Sequence, residues 1–289
     1  MPSQKEYNVK IASLGNTAKV TKTMNMVSTS KFRKAQDAQG SSKLYADQLN
    51  QVISGLAASA GELSHPLMKT PEVKKVLVIT FTSDKGLCAG FNNNLIKFVE
   101  KWRKENSDKY EKIDFITCGK RGNNFFRKEN TIVANFDDKT SNPEFDTARE
   151  IGDQVQQLFV DGEYDQVLIA NNNFVSALSQ VPTLSTLLPV SGADDQESNT
   201  ADNATEYIYE PGKAELLSYL LPKTVNFQVF KAFLENAAGE HAARMAAMDA
   251  ASSNAKDLIK KYTVLRNRAR QAAITTELTE IVAGAESLK

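Results

Sequence analysis

The sequence has little of what builds cross-linked or metal-bound folds, with two cysteines and two histidines in 289 residues. Cys88 and Cys118 lie thirty residues apart, which is neither a disulfide framework nor a metal-ligand spacing. His65 and His241 are too few for a histidine-based metal site. We therefore expect no metal and no cofactor. Both cysteines adjoin strand-like segments, so we expect buried thiols in a reducing compartment.

Long apolar runs are also absent. No stretch of 18 apolar residues occurs, so the sequence predicts no membrane-spanning helix. The first residues, Met-Pro-Ser-Gln-Lys-Glu, lack the apolar core of a signal peptide, and no transit-like segment rich in Arg and Ser precedes the first helix. We expect the mature chain to begin at or near Met1, on the cytoplasmic side.

The chain as a whole has no net charge, because 35 Lys and Arg residues balance 35 Asp and Glu residues. A nucleic-acid-binding protein usually has a basic excess, so the balance argues against that class. Locally the charge is uneven: residues 5–34 carry seven basic side chains against one acidic one, and residues 256–270 carry six against one. A solvated helix face would explain either run. Two like-charged segments at one end of a molecule would repel each other, however, which favours an acidic partner.

Prolines, which break helices from within, are confined to the start and the middle of the chain. They stand at positions 2, 66, 71, 143, 182, 189, 211 and 222. The two long proline-free stretches have helical composition. We therefore predict an N-terminal helix within residues 1–65, an α/β domain over residues 66–222 and a C-terminal helix within residues 223–289.

The C-terminal stretch contains a heptad repeat. Six of its seven layers are apolar, which is long enough to indicate a coiled coil. A helix from 224 to 285 would span about 90 Å at 1.5 Å per residue, wider than a globular core. The layers are Phe227/Phe230, Leu234/Ala237, His241/Arg244, Met248/Ala251, Ala255/Leu258, Tyr262/Leu265 and Ala269/Ala272.

The N-terminal stretch carries a weaker repeat, and Gly15 and Gly40 would each cost about 1 kcal/mol against Ala in a free helix. A partner helix must compensate, and the C-terminal helix is the one of matching length. Because a domain intervenes, we predict that the two helices pair antiparallel. The apolar positions are Leu14, Val20, Met24 and Val27, followed by Ala38, Tyr45, Leu49, Val52 and Leu56.

Between the helices the pattern changes to strands alternating with helices, which indicates βαβ units and a mostly parallel, Rossmann-like sheet. The predicted fold class is therefore α/β, with a long antiparallel coiled coil. Residues 191–205 are acidic and poor in apolar side chains, which predicts an exposed loop. The predicted strands are 75–81, 114–118, 131–136, 166–170 and 182–190, and the predicted helices are 92–104 and 146–160.

The loop at residues 82–91 follows the first strand, where α/β folds place phosphate loops. It has neither of the usual glycine-rich nucleotide motifs, so its glycines are better explained as turn residues. Cys88 would need a nearby histidine to act as a nucleophile, and neither histidine adjoins it in sequence. The sequence therefore predicts no nucleotide site and no enzyme activity.

Several segments resemble the gamma subunit of bacterial F-type ATP synthases, in the right order along the whole chain. Residues 11–31 are similar to that family's first helix, and residues 83–92 to its signature loop, with Lys85 and Ala89 in place of the commoner Arg and Gly. Residues 207–211 resemble its foot region. The C-terminal segments Arg244–Ala251 and Arg268–Gly284 are similar nearly position by position.

The resemblance implies a non-catalytic rotor shaft for ATP synthesis coupled to ion transport. Its expected partners are the alpha and beta subunits of a hexamer, the epsilon subunit and the membrane ring of c subunits, with ATP made in beta. The expected location is peripheral, on the cytoplasmic face of the bacterial membrane, without insertion and without nucleic acid. The alternative is a coiled-coil scaffold or adaptor, and a nucleotide-dependent enzyme ranks third.

The resemblance and the basic runs together predict a set of partner-binding residues. Met24 has two interpretations, a bearing surface against acidic beta loops or a coiled-coil core position in a stripe with Val20 and Val27. The predicted residues are Lys22, Met24, Lys31, Arg33, Arg268, Arg270, Gln271, Thr275, Glu277 and Glu280 on the two helices, and Tyr207 and Glu210 in the foot.

Overall fold

A computed structural model describes residues 4–59, 65–190 and 212–286. The chain forms two compact units, one of Met1–Thr29 with Arg244–Lys289 and one of Ser30–Ala243. The three-part division predicted from the prolines stays a prediction. The elements are α1 (Gln4–Ser59), β1 (Lys75–Phe81), α2 (Phe91–Glu105), β2 (Lys112–Cys118), α3 (Lys120–Phe126), β3 (Ile132–Phe136), α4 (Phe145–Val160), β4 (Gln166–Phe174), β5 (Gln180–Leu188) and α5 (Lys213–Glu286).

The larger unit contains a five-stranded sheet in the order β3-β2-β1-β4-β5. The first four strands are parallel, and β5 returns antiparallel beside β4. This confirms the predicted mostly parallel, Rossmann-like sheet and each predicted strand, with β5 shifted by two residues. The short helix α3 was not predicted, because its sequence follows Gly119 and contains Gly122 and two asparagines, which read as turn residues.

Alternation along the buried strands divides the core between the two faces of the sheet. Leu77 and Ile79 of β1 pack in a cluster with residues of α4 and α5, where the rings of Phe81 and Phe233 meet edge to face at 4.8 Å. Val76 and Val78 point to the other face, in a cluster with residues of α2 and α3. Helices therefore cover both faces, which explains why the run from Val76 to Ile79 in β1 is apolar on both sides of the sheet.

Helix α5 runs through Pro222, so the expectation that it begins after this proline is wrong. Proline cannot donate the hydrogen bond one turn back, and in a free helix it costs about 3 kcal/mol. Burial overrides that cost, because Leu217, Leu221 and Val225 lie one turn apart and are all buried in the core. The side chain of Gln156 in α4 also donates to the Pro222 carbonyl at 3.3 Å.

A polar triad lies in the larger unit, with Tyr164 and Asp114 buried and Lys112 exposed. The Tyr164 hydroxyl donates to Asp114 at 2.6 Å, and the Lys112 ammonium lies 2.8 Å from the same carboxylate oxygen. Burial, followed by the hydrogen bond to Asp114, raises the pKa of Tyr164 from 10.0 to about 12. The hydrogen bond to Asp114 is the first cause of the raised pKa of Lys112. The carboxylate is therefore buried with two donors rather than alone.

The smaller unit pairs the first part of α1 with the last part of α5. The rings of Tyr7 and Tyr262 lie 6.1 Å apart, and the Asn25 amide reaches the Met245 carbonyl. Residue numbers rise along α1 while they fall along α5, which confirms the predicted antiparallel pairing. The least exposed positions of α1 recur every three or four residues, the spacing of a coiled-coil seam: Tyr7, Ile11, Leu14, Ala18, Thr21, Asn25 and Ser28.

This seam differs from the predicted stripe on α1. Val20 and Val27 are exposed, and the small polar residues Thr21 and Ser28 are buried in their place. Close approach of two helices favours short side chains, which apolar periodicity does not detect. Further along α1, Leu49 is buried as predicted, whereas Ala38 and Val52 are exposed and the side chains of Tyr45 and Leu56 lie outside the described residues.

On α5, the predicted first position of each layer from Met248/Ala251 to Ala269/Ala272 lies on the seam, but the predicted second position of these layers does not. Leu258 and Ala272 are exposed. The seam uses Ile259, one place after Leu258. Counted from the first position of a layer, the seam residues are spaced four and then three apart, whereas the prediction had three and then four. The α5 seam positions are Met245, Met248, Ser252, Ala255, Ile259, Tyr262, Arg266 and Ala269.

Candidate functional site

The loop that follows β1 is closed by its own side chains. The Ser83 backbone amide donates to the Asn92 side-chain oxygen at 2.8 Å, and the Asn92 amide nitrogen donates to the Ser83 hydroxyl at 2.7 Å. The same hydroxyl donates to the Lys85 carbonyl at 2.6 Å. This reciprocal set ties the start of the loop to the first turn of α2.

Asp84 connects this loop to the ends of the neighbouring strands. One carboxylate oxygen accepts the backbone amides of Lys120 at 3.1 Å and Asp138 at 2.9 Å. The other accepts the Thr140 hydroxyl at 2.8 Å. The Lys120 amide begins α3, and an amide at a helix start is where α/β folds commonly receive a phosphate. Here that amide contacts a carboxylate of the chain itself, so Asp84 serves to join the ends of β1, β2 and β3.

The backbone of the same loop enters the left-handed region twice, at Leu87 (φ 63°) and Ala89 (φ 49°). This region is costly for residues with a Cβ and is readily adopted by glycine. The geometry therefore accounts for the glycine that is commoner at position 89 in the resembling family. Because Leu87 and Ala89 both have strained backbone angles, the hydrogen bonds of the loop, and not the backbone preferences of these residues, impose its conformation.

The predicted residues on α1 fall in both units. Lys22 is exposed and Met24 is half-buried in the smaller unit, whereas Lys31 and Arg33 are exposed in the larger one. Met24 directly precedes Asn25 of the seam. The stripe with Val20 and Val27 that would have made Met24 a core residue is exposed, so Met24 lies at the margin of the seam.

The predicted residues of α5 lie together in one exposed stretch of helix. Thr275 donates its hydroxyl to the Gln271 carbonyl at 3.0 Å, within the helix itself. Every residue from 270 to 286 is exposed. This segment therefore presents its whole circumference within the part of the chain that the structure describes. The predicted residues are Arg268, Arg270, Gln271, Thr275, Glu277 and Glu280, and all six are exposed.

The same stretch carries an apolar stripe that was not predicted. Ile274, Leu278, Ile281 and Val282 follow helical spacing and are 49% to 68% exposed. A group of exposed apolar side chains marks an interaction surface. The four residues share one helix face in the sequence but lie off the predicted heptad, whose next layer would be 276 and 279, and their exposure is visible only in the structure. We name residues 270–286 the α5 end segment.

Comparison with known proteins identifies the family. A family model described as ATP synthase matches residues 3–288. The ATP synthase gamma chain of Trichlorobacter lovleyi is 43% identical over 290 residues, and that of Geotalea daltonii is 45% identical over 289 residues; each alignment covers 100% of both chains. The chain belongs to the ATP synthase gamma chain family. Its predicted resemblance to that family is thereby confirmed.

Solved structures of ATP synthase assemblies share the fold. A chain from the rotor of the Euglena gracilis mitochondrial ATP synthase matches with a TM-score of 0.68 and 18% identity, covering 94% of this chain and 98% of that one. A chain from the central stalk and c-ring of the Tetrahymena thermophila enzyme matches with a TM-score of 0.61 and 23% identity, covering 81% of this chain and 99% of that one. At these identities the likeness shows the fold alone.

The remaining predicted features of this gamma chain are located as follows. Tyr207 and Glu210 lie outside the described residues. Cys88 and Cys118 are buried as predicted, and burial, followed by the charges of Asp84 and nearby acidic groups, raises the pKa of the Cys118 thiol well above its usual value. Among the described residues, none of the helices combines the length and apolarity needed to cross a bilayer.

Proposed function

We propose that this gamma chain is the central rotor shaft of a bacterial-type ATP synthase. It would transmit torque between a membrane ring driven by ion flow and the catalytic beta subunits. The observation that carries the proposal is the α5 end segment, a helix exposed on all sides with an apolar stripe. A hexamer of alternating alpha and beta subunits would enclose such a helix on every side, which a one-sided docking partner would not.

The stripe gives a scale for the attraction to the hexamer. Burying an aliphatic side chain completely stabilises by about 1.5–3 kcal/mol, and roughly half of each of these four remains exposed. Enclosing them would contribute about 4 kcal/mol before the cost of ordering the interface. This free energy is enough to hold the helix inside the hexamer. It does not favour one rotational angle of the helix, because hydrophobic attraction is non-directional.

Exposed basic side chains of the smaller unit supply the second contact. Lys22 on α1 and Arg268 and Arg270 on α5 are exposed in the same unit. They would meet acidic loops of the beta subunits. An exposed ion pair contributes about 0–1 kcal/mol, so each pair can be exchanged as the shaft turns.

Polar residues within the α5 end segment would act as a catch against one beta loop. Arg270 and Gln271 are adjacent, and Thr275 and Glu277 follow within two turns on exposed helix. Glu280 continues the same polar set. Hydrogen bonds from this set would distinguish one beta subunit from the other two at each stop of the rotor.

The larger unit would form the foot. Tyr207 and Glu210 would contact the c ring, beside the epsilon subunit, while Lys31 and Arg33 would extend the basic surface of α1. The chain would be peripheral on the cytoplasmic face and would not insert into the membrane or bind nucleic acid. ATP would be made in beta, and the shaft itself would bind no nucleotide and catalyse nothing.

The test replaces the stripe and measures the assembled complex. The variant Ile274→Ser, Leu278→Ser, Ile281→Ser should fold normally in isolation, because these side chains contact little of their own chain. When it is reconstituted with alpha and beta subunits, the yield of complex and its ATPase activity should fall several-fold. A matched control, Val175→Ser with Leu178→Ser, removes exposed apolar side chains from the β4–β5 turn. Equal loss in control and test variants would refute the proposed enclosure of the α5 end segment.

A further inference from the structure

The seam between α1 and α5 in the smaller unit is partly polar. Thr21 and Ser28 are 9% and 3% exposed, and the Thr21 hydroxyl donates back to the Thr17 carbonyl of its own helix at 3.0 Å. Asn25, which lies between them, behaves differently. Its side-chain nitrogen donates to the Met245 carbonyl of the other helix at 2.8 Å.

In the part of this seam around Asn25, apolar packing defines the axial position of the two helices weakly. Knobs-into-holes packing is specific when large side chains alternate with fitting holes. Here α1 offers Ala18 and the short residues on either side of Asn25, and α5 offers Ser252 and Ala255. The larger side chains of the seam, Tyr7, Ile11 and Leu14 on α1 and Ile259 and Tyr262 on α5, lie away from Asn25 towards the other end of the unit.

We propose that Asn25 fixes the register of α1 against α5 and thereby makes the two helices a single torque-bearing body. A shift of one turn, about 5.4 Å, would break the 2.8 Å bond to the Met245 carbonyl. A polar residue in a coiled-coil seam characteristically selects one register at a cost in stability. Asn25 is therefore a positioning residue.

The effect on function rests on the proposed shaft role, whereas the effect on register does not. In a shaft, each helix is loaded by different contacts, so one helix would be pushed along the other at every step. The small side chains around Asn25 would by themselves resist that displacement weakly. The bond from Asn25 resists that displacement because its geometry is satisfied in one register.

Register is measured on the full chain by the distance between spin labels on Val20→Cys and Val264→Cys. Both positions are exposed, one on each helix of the unit, and both native cysteines are buried. With Asn25 intact, one narrow distance is expected. Asn25→Leu and Asn25→Asp, which cannot donate the bond, should add a population displaced by about 5 or 10 Å, one turn or one heptad. Asn16→Leu changes an exposed asparagine of the same helix and should leave the distance unchanged.

The second readout is ion pumping per ATP hydrolysed in vesicles containing the reconstituted complex. Asn25→Leu should keep or raise the thermal midpoint, because a half-buried polar group is replaced by an apolar one, yet lower the pumping ratio about twofold or more. Asn25→Gln, which keeps the amide donor, should restore part of the ratio. A single unshifted distance in both Asn25→Leu and Asn25→Asp would overturn the register assignment. A shifted distance with normal pumping would overturn the torque-bearing claim. Failure of the unaltered chain to support pumping would instead refute the shaft proposal and leave the distances informative.

Discussion

Replacing Asp84 tests whether one carboxylate holds the strand ends of the larger unit together. Asp84→Ala removes the acceptor for the Lys120 amide, the Asp138 amide and the Thr140 hydroxyl. The Asp138 amide is exposed and can bond water instead, but the other two groups are partly buried. A buried donor without an acceptor costs about 1–3 kcal/mol. The expected loss is therefore about 2–4 kcal/mol, a large part of the 5–15 kcal/mol typical of a folded protein.

The assay is urea unfolding of the full chain, with the slope against denaturant checked for constancy so that a change in midpoint reports stability. Asp84→Asn keeps one acceptor oxygen and should lose about half as much. Asp108→Ala, at an exposed aspartate in the turn after α2, is the matched control and should lose less than about 0.5 kcal/mol. If Asp84→Ala unfolds at the same midpoint as Asp108→Ala, the carboxylate does not join the strand ends and the reasoning fails.

Four further substitutions follow from the structure. Ala89→Gly should raise stability by about 1 kcal/mol in the same urea assay, because the residue has φ 49°; a lower midpoint would contradict this. Tyr164→Phe should cost about 1 kcal/mol at neutral pH. Since the pKa of Tyr164 is raised from 10.0 to about 12, the native chain should lose stability as pH rises across that interval, and the variant should lose less; equal slopes would count against the burial argument. Met24→Lys should change the thermal midpoint little, because the half-buried side chain can extend its charge to solvent, while lowering ion pumping per ATP; a large fall in midpoint with normal pumping would favour a core position. Arg270→Ala with Gln271→Ala should reduce the ATPase activity of the complex without altering the stability of the isolated chain. Unchanged activity would refute the proposed contact of these polar residues with a beta loop.

The sequence was sufficient to predict the elements whose signal is carried by apolar residues. The apolar run of β1 located that strand correctly, because a strand buried on both faces is apolar at successive positions. The helical periodicity of α4 located that helix correctly, because a helix buried on one face repeats its apolar residues every three or four positions. Helix α3 and the passage of α5 through Pro222 were not predictable. In each, tertiary contacts outweigh local preference: Asp84 accepts the first amide of α3, and Leu221 holds the proline region in the core.

The seam shows a second limit of sequence reasoning. Val20 and Val27 are exposed while Thr21 and Ser28 are buried, so polarity points to the wrong face of α1. The spacing of three and four residues that is typical of a seam was present on α1, but short side chains and not apolar ones carried it. For the functional residues, the sequence located an exposed, charged helix end correctly. It missed the apolar stripe through Ile274 because exposure, which gives that stripe its meaning, is visible only in the structure.

The α5 end segment also determines how an unassembled copy differs from an assembled one. A helix of this length without tertiary contacts is marginal in water, and Thr275, Thr276, Thr279 and Gly284 lower its helical preference further. A copy made in excess over its partners would therefore display an apolar, readily cleaved terminus to the proteases of the cell. Enclosure would hide that terminus, so degradation of orphan copies would match the amount of shaft to the number of complexes. Exposure of the α5 end segment would thus keep the number of copies of this chain equal to the number of complexes.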